Sequence, residues 1–372
     1  MKILYIHLGK ALMRIIYSIF KLFPTKKKVV FLSRQTNKPS VDFVMLSDEI
    51  TARDSEVQIV MICGWINSTP KGLIRLAINT FSGMYHTATA RVAILDTYSP
   101  IISLLKHKQE LTVIQIWHAM GKIKQSGHQN LDTPGGGRCS KVAKVMNMHK
   151  GYDLIVAGAS TWNKFYCESF NVSEEILYNV GLPRIDFVQK NRELIRKEIF
   201  SKYAGLGKKP IILYAPTWRN TEIAGWDELI HHFDFHQYDL VVKSHPRQKL
   251  TIPSENVYTL PGYSALECLA IAEFLITDYS ATAVEAAAFN IKTYYYLYDF
   301  EQYKEENGLN IDLFQEMKDC VFTNAIDLVK ALENPYPMVY LENYKKKFLP
   351  KKEGSATVLI TNKIMEGLKL AG

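Results

Sequence analysis

Short runs of consecutive apolar residues, each leading into a helical pattern, recur along the whole of this 372-residue chain, and no other feature constrains the fold as strongly. Val29 to Ser33, Val57 to Cys63, Arg91 to Leu95 and Thr112 to Trp117 form one series, with helical patterns over Val41 to Ala52 and Leu73 to Phe81. Pro210 to Tyr214, Asp239 to Lys243, Val257 to Leu260 and Phe274 to Thr277 form a second, with helical patterns over Ser264 to Ala272 and Thr282 to Phe289. A strand without a polar face is buried on both sides, and strands that alternate with helices pair in parallel. The sequence therefore predicts an α/β protein of two Rossmann-like domains facing a cleft, preceded by an amphipathic helix. The expected limits are 1–28 for that N-terminal segment and 29–185 and 186–345 for the two domains. A helical segment over 346–372 is a candidate to cross back to the first domain.

The net charge of +8 suits an anionic partner such as a phosphorylated substrate or an acidic lipid surface. Nucleic acid is the weakest candidate, because the bases are scattered and no zinc-finger or RNA-binding signature occurs. The cysteines are Cys63, Cys139, Cys167, Cys268 and Cys320, an odd set with no CxxC, which fits a reducing cytoplasm. Near the N-terminus, Leu4, Leu8, Leu12, Ile15, Ile16 and Ile19 fall on one broad helical face. Lys2, Lys10, Arg14 and Lys21 lie around its edges, and Lys26-Lys27-Lys28 follows. Bases interrupt every stretch of spanning length. The pattern predicts a helix lying on an anionic membrane surface. A helix packed on the body of the protein would read the same way.

Ligands of parallel sheets sit beyond the carboxyl ends of the strands. Four loops at such ends carry residue types that bind phosphate. They are Trp117-His118-Ala119-Met120-Gly121-Lys122, Tyr214-Ala215-Pro216-Thr217-Trp218-Arg219, Lys243-Ser244-His245-Pro246-Arg247 and Thr277-Asp278-Tyr279-Ser280-Ala281-Thr282. Thr217 offers a hydroxyl and Arg219 a planar fork for phosphate oxygens. Ser280 and Thr282 stand where a helix begins, and its unpaired N–H groups favour an anion. Asp278 or Ser280 would equally serve there as a simple cap. Taken singly, each loop also fits a packed histidine or a helix cap; four together are harder to explain that way. No carboxylate cluster has metal-ligand spacing, so no tightly bound metal or other cofactor is expected, and a loosely held magnesium ion stays open.

WHAMGKIKQSG, GLPRID, YAPTWR, KSHP and ITDYSATAVEAA, in this order, resemble the CDP-glycerol glycerophosphotransferase family of wall teichoic acid synthesis. The resemblance runs from about Val113 to Asp312 and is most like the primases of that family. It implies a glycosyltransferase-B-like fold, a CDP-glycerol donor and a polyprenyl-diphosphate-linked disaccharide as acceptor. It also implies a peripheral location at the cytoplasmic face of a bacterial membrane. His118 is then the candidate base, and His245 contacts the transferred phosphate or the leaving group. Thr217, Arg219, Ser280 and Thr282 hold the diphosphate, and Asp278 orients His245 or a backbone turn. Arg184, in GLPRID, lies near the donor or braces the interdomain turn. Polymerases of the family often show His-Gly-Thr where this chain has His118-Ala119-Met120, and Asp-Tyr-Ser-Ser where it has Asp278-Tyr279-Ser280-Ala281. The first departure favours a primase-like enzyme, and the second shifts a phosphate-binding hydroxyl to Thr282. Three alternatives remain: a CDP-ribitol-dependent transferase for teichoic acid or capsule, a nucleotide-sugar glycosyltransferase, and a non-catalytic membrane scaffold. His118, His245 and Arg219, all intact, argue against the scaffold.

Overall fold

The computed structural model describes residues 2–65, 69–136, 138–219, 223–245, 248, 250–252 and 257–369. The chain divides into two compact units. One comprises 1–120, 126–186 and 350–372, and the other 121–125 and 187–349.

In the first unit, strands β1 (Lys28–Ser33), β2 (Gln58–Cys63), β3 (Val92–Leu95), β4 (Thr112–Gln115), β5 (Leu154–Ala157) and β6 (Leu177–Asn179) form one parallel sheet. Its order is β2-β1-β3-β4-β5-β6. Helices cover both faces, so the central strands carry no polar side: Val29, Val30 and Phe31 of β1 and all of β3 are fully buried. Helix Ala356–Lys369 belongs to this unit and packs on helix Val41–Arg53. Gly367 permits the close approach, since a Cβ there would stand 3.0–3.1 Å from atoms of Thr112 and Val92. The Asp186 carboxylate secures the start of that helix, accepting 2.8 Å bonds from both the N–H and the hydroxyl of Thr357.

The N-terminal helix, Lys2–Phe20, has an inner and an outer apolar face. Met13, Ile16, Tyr17 and Phe20 pack against Met84, Ala88, Ile101 and Leu105. The Tyr17 hydroxyl lies 2.6 Å from Nδ1 of His107. Leu4, Tyr5, Leu8, Leu12, Ile15 and Ile19 remain exposed, as do Leu73, Ile74, Ile78 and Phe81 of the neighbouring helix Pro70–Ala88. By length and composition alone, the 18 residues Ile3–Phe20 would suffice to cross a membrane. Several bases assigned to a lipid surface are engaged elsewhere. Lys10 and Arg14 donate to the carbonyls of Val145 and Leu104. Lys27 pairs with Asp54 at 2.6 Å, and Lys28 is a buried residue of β1 that donates to the Thr89 hydroxyl.

In the second unit, β7 (Ile211–Tyr214), β8 (Asp239–Val242), β9 (Val257–Tyr258), β10 (Phe274–Thr277), β11 (Lys292–Tyr296) and β12 (Val321–Phe322) form a parallel sheet ordered β12-β11-β10-β7-β8-β9. The apolar runs did not reveal β5, β6, β11 or β12. The Lys-Thr-Tyr-Tyr-Tyr of β11 reads as half polar, yet its tyrosines are buried because their hydroxyls find partners. Tyr294 donates to the Ala331 carbonyl at 3.1 Å and Tyr296 to Glu228 at 2.5 Å. Each sheet reverses its winding once, between β1 and β3 in one unit and between β7 and β10 in the other. The carboxyl ends of those strands are where such sheets bind ligands.

Candidate active site

In the first unit, β4 ends in a turn that no ordinary side chain prefers. Trp117 has φ of 57°, the left-handed region in which a bulky residue is strained. Gln115 holds it there: its side-chain oxygen accepts from the Trp117 N–H at 2.9 Å, and its amide donates to the Thr97 carbonyl at 3.1 Å. The turn carries the next residue, His118, across to the end of β3, where Nδ1 lies 3.0 Å from the carbonyl oxygen of Asp96. A carbonyl only accepts, so Nδ1 carries the hydrogen and the lone pair of the neutral ring sits on Nε2. The Trp117 ring packs 4.1 Å from the His118 ring, centroid to centroid.

Arg184 braces the same turn. It stands in the first turn of helix Pro183–Lys202, on the part that belongs to the first unit, with Nε 2.8 Å from Asp42 and Nη2 also on that carboxylate. Its backbone N–H donates to the other Asp42 oxygen at 2.8 Å, and Nη1 donates to the carbonyl of His118 at 3.2 Å. Asp42 is fully buried in the first turn of helix Val41–Arg53. Through these bonds Arg184 ties Asp42 to the turn that carries His118. Asp96 is also buried, and burial pushes its carboxyl up to about 6 against the opposing bonds from Ser33 and Thr97. Beside His118 lies a cavity of about 370 Å³ lined by Arg34, Tyr98, Asn130, Arg138 and His149.

The second unit gathers the other named residues. Asp278, directly after β10, accepts from the N–H of Thr217 at 2.9 Å and from its hydroxyl at 2.6 Å. It also accepts from Nη2 of Arg219 at 3.0 Å. Arg219 reaches further: Nε donates to Asp299 at 2.6 Å and Nη1 to the Thr217 carbonyl at 2.8 Å. Tyr303 and Tyr279 stack together, and the guanidinium carbon lies 4.5 Å from the Tyr303 ring centre. Burial opposes the charge on Arg219, but Asp278 and Asp299 outweigh it and keep the group protonated. The fork expected to clasp phosphate is thus largely turned onto two carboxylates, and its direct work is to tie the loops after β7, β10 and β11 together.

Ser280 and Thr282 are half-buried at the start of helix Thr282–Ala288. The Ser280 hydroxyl donates to that of Thr282 at 3.0 Å and accepts from the Thr282 N–H at 3.3 Å. The N-cap position is Ala281, with no side-chain capping bond, so Asp278 is not the cap. His245 is exposed, 6.1 Å from the Trp218 ring between centroids. Gln248 joins these loops: its N–H donates to the His245 carbonyl, and its side-chain oxygen accepts from the Arg219 N–H at 2.9 Å. Pro246 and Arg247 lie outside the described residues. Thr217, Arg219, His245, Asp278, Ser280 and Thr282 therefore share one end of one sheet, while His118 and Arg184 stand at the sheet end of the other unit.

The apolar runs did not single out Asp42, Asp96, Asp299, Arg34 or Arg138. A buried arginine requires a carboxylate, but nothing local names which one. Lys122, within the first motif, belongs to the second unit, where its carbonyl accepts from Asn310; burial pushes its amine down to about 7.

Comparison with known proteins bears on this arrangement. The model of the family described as CDP-Glycerol:Poly(glycerophosphate) glycerophosphotransferase matches residues 15–366. A teichoic acid poly(ribitol-phosphate) polymerase of Bacillus spizizenii is 25% identical over 96% of this chain and 59% of its own length. The chain thus spans about three fifths of that relative. The teichoic acid ribitol-phosphate primase of the same organism is 26% identical over 83% of this chain and 82% of its own. The teichoic acid glycerol-phosphate primase of Bacillus subtilis is 24% identical over 77% and 76%. Among solved structures, the wall teichoic acid polymerase TagF, soaked with CDPG, superposes with a TM-score of 0.77 at 18% identity, covering 99% of this chain and 98% of that one. A UDP-GlcNAc 2-epimerase from Neisseria meningitidis gives 0.59 at 11% identity, covering 91% and 100%. These likenesses are of fold: two parallel-sheet α/β domains of the glycosyltransferase-B-like kind.

Proposed function

We propose a reaction for this chain, which belongs to the CDP-glycerol:poly(glycerophosphate) glycerophosphotransferase family: transfer of glycerol phosphate from CDP-glycerol to a polyprenyl-diphosphate-linked disaccharide, releasing CMP, in teichoic acid synthesis. An acceptor hydroxyl gives its proton to Nε2 of His118. The oxygen attacks the phosphorus that bears the glycerol, and the bond from that phosphorus to the CMP phosphate breaks, its electron pair leaving with CMP. The hydroxyls of Ser280 and Thr282 and the exposed His245 ring contact the donor's diphosphate. Arg219, with Asp278, Asp299 and Thr217, shapes the loops that present them. The observation that carries the reading is the bond from His118 Nδ1 to the Asp96 carbonyl, which fixes the tautomer a base requires. The reaction needs no tightly bound cofactor, and a magnesium ion would enter only as a counter-ion of the diphosphate.

The exposed apolar faces of helices Lys2–Phe20 and Pro70–Ala88 support a peripheral position on the cytoplasmic face of the membrane. A second reading replaces CDP-glycerol by CDP-ribitol, and the two ribitol-phosphate relatives from Bacillus spizizenii favour it. The deciding experiment offers CDP-glycerol, CDP-ribitol and a UDP-sugar together with a lipid-linked disaccharide mimic, then reads the product mass and the nucleotide released. CMP with a glycerol phosphate mass increment supports the first reading. A ribitol phosphate increment selects the second, and UDP release overturns both.

A further inference from the structure

Arg34 stands in the wall of two adjoining cavities of the first unit, and the two differ in character. One is the polar cavity of about 370 Å³ that His118 lines. The other, of about 300 Å³, lies under the N-terminal helix and is walled by Met13, Leu32, Ile62, Leu76, Ile101 and Leu104. Tyr98 and Met146 stand at the partition: Tyr98 lines the polar side, Met146 the apolar side, and the Tyr98 hydroxyl donates to the Met146 carbonyl at 2.7 Å. A volume near 300 Å³ is within the range of small-molecule sites.

The polar cavity carries two arginines, Arg34 half-buried and Arg138 exposed at its edge. Among the described residues, no carboxylate lines it, and neither Arg34 nor Arg138 is in an ion pair. Arg34 donates to the Tyr98 carbonyl at a long 3.4 Å, and Arg138 reaches only Met148 sulfur and the Tyr98 ring. Burial weighs against the Arg34 charge, Tyr98 favours it, and the neighbouring Arg138 opposes it. An anion offsets both opposing effects, and a phosphate suits paired guanidinium groups. Beside it, the second cavity has Lys10, Arg34, Asn79 and Thr80 in its wall, but most of its lining is apolar and suits a hydrocarbon chain. Two of the helices that wall this second cavity, Lys2–Phe20 and Pro70–Ala88, also leave Leu4, Leu8, Leu12, Leu73, Ile74 and Ile78 exposed on their outer faces, so apolar surface lies on both sides of them.

We propose that the paired cavities are one site for a prenyl-type phosphate amphiphile, with its anionic head between Arg34 and Arg138 and its chain under the N-terminal helix. The proposal rests on the reaction above and deepens it, placing the lipid end of the acceptor in the cavity that His118 lines. Its test uses the full chain without donor, titrated calorimetrically with farnesyl phosphate, inorganic phosphate and farnesol below their aggregation limits. Farnesyl phosphate binds once per chain and at least about tenfold more tightly than either fragment, since head and tail contributions add. Arg34→Gln weakens farnesyl phosphate by about tenfold, the loss of one charge-assisted contact, and leaves farnesol unchanged. Gly9→Phe probes the tail. Gly9 lines the apolar cavity and has no atom within 4 Å of its would-be Cβ, so the ring enters open space without cost to the helix. It weakens farnesyl phosphate and farnesol and spares inorganic phosphate. Equal affinities for farnesyl phosphate and free phosphate, or no loss in either variant, overturn the proposal. CMP release assayed on the same samples separates the two ideas. Release without farnesyl phosphate binding overturns this site alone, and binding without release from any donor overturns the reaction alone.

Discussion

At the scale of single residues, the turn after β4 makes the sharpest commitments. His118→Ala removes the nitrogen that takes the proton, and turnover should fall about a hundred- to ten-thousand-fold while CDP-alditol affinity is kept. Single-turnover kinetics beside calorimetry check it; near-normal turnover would make His118 a packing residue. Arg219 separates charge from geometry. Arg219→Lys retains the cation but cannot reach Asp278, Asp299 and the Thr217 carbonyl together. Donor affinity should fall in both Arg219→Lys and Arg219→Ala. The alanine variant should also lose roughly 3 kcal/mol of stability, because the buried Asp278 and the half-buried Asp299 lose the guanidinium they share. Unchanged donor binding in both would take Arg219 out of the site. Asp96 gives a pH signature. Its carboxyl is raised to about 6, so the native state holds the proton more firmly than the unfolded chain between about pH 4 and 6. The favourable contribution is full below that window and lost as pH rises through it. Asp96→Asn, which mimics the protonated form, should therefore be more stable than wild type above pH 6 by about 3 kcal/mol and nearly equal at pH 4. Urea melts at both pH values decide the matter.

These residues also mark how far sequence reading reaches. The strand-end positions of His118, Thr217, Asp278, Ser280 and Thr282 were legible because a strand end followed by small and polar residues is a local pattern. The work of Arg219 and Arg184 was not. Asp299 lies 80 positions from Arg219 and Asp42 lies 142 from Arg184, and no spacing rule joins groups that only the fold brings together. A fork free to take phosphate and a fork spent on carboxylates look the same in a sequence.

Among the elements, strands of unbroken apolar character were legible and short or tyrosine-rich ones were not. The hydroxyl partners of β11, at Ala331 and Glu228, come from distant helices. The N-terminal helix was read correctly as amphipathic, but its bases were not all where the membrane reading needed them, since Lys27 is ion-paired and Lys28 is part of a buried strand. A test of the lipid surface should therefore target the outer apolar face. Leu4, Leu8 and Leu12, exposed and outside the walls of the apolar cavity, should be changed together to Glu. Wild-type protein should co-sediment with anionic liposomes. The triple variant should not, and should keep turnover on a short, water-soluble acceptor. Loss of turnover on that acceptor would mean that the outer face serves the fold instead of the membrane.

Over the whole molecule, the first unit is discontinuous: residues 350–372 join it only after the entire second unit has intervened. On a translating ribosome this becomes a matter of time. About 170 residues separate Asp186 from Ala356, and at roughly 5–20 residues per second they take on the order of 10–30 s to make. Throughout that interval Val92 and Thr112 lack the helix that Gly367 will bring against them, and the Asp186 carboxylate lacks Thr357. Nascent chains arrested with the second unit emerged but 350–372 still in the exit tunnel should be cut by protease within the first unit, and chains released beyond it should resist. The growing polypeptide must therefore carry an unfinished sheet face through the synthesis of its neighbour, a window in which a ribosome-associated chaperone has something to hold.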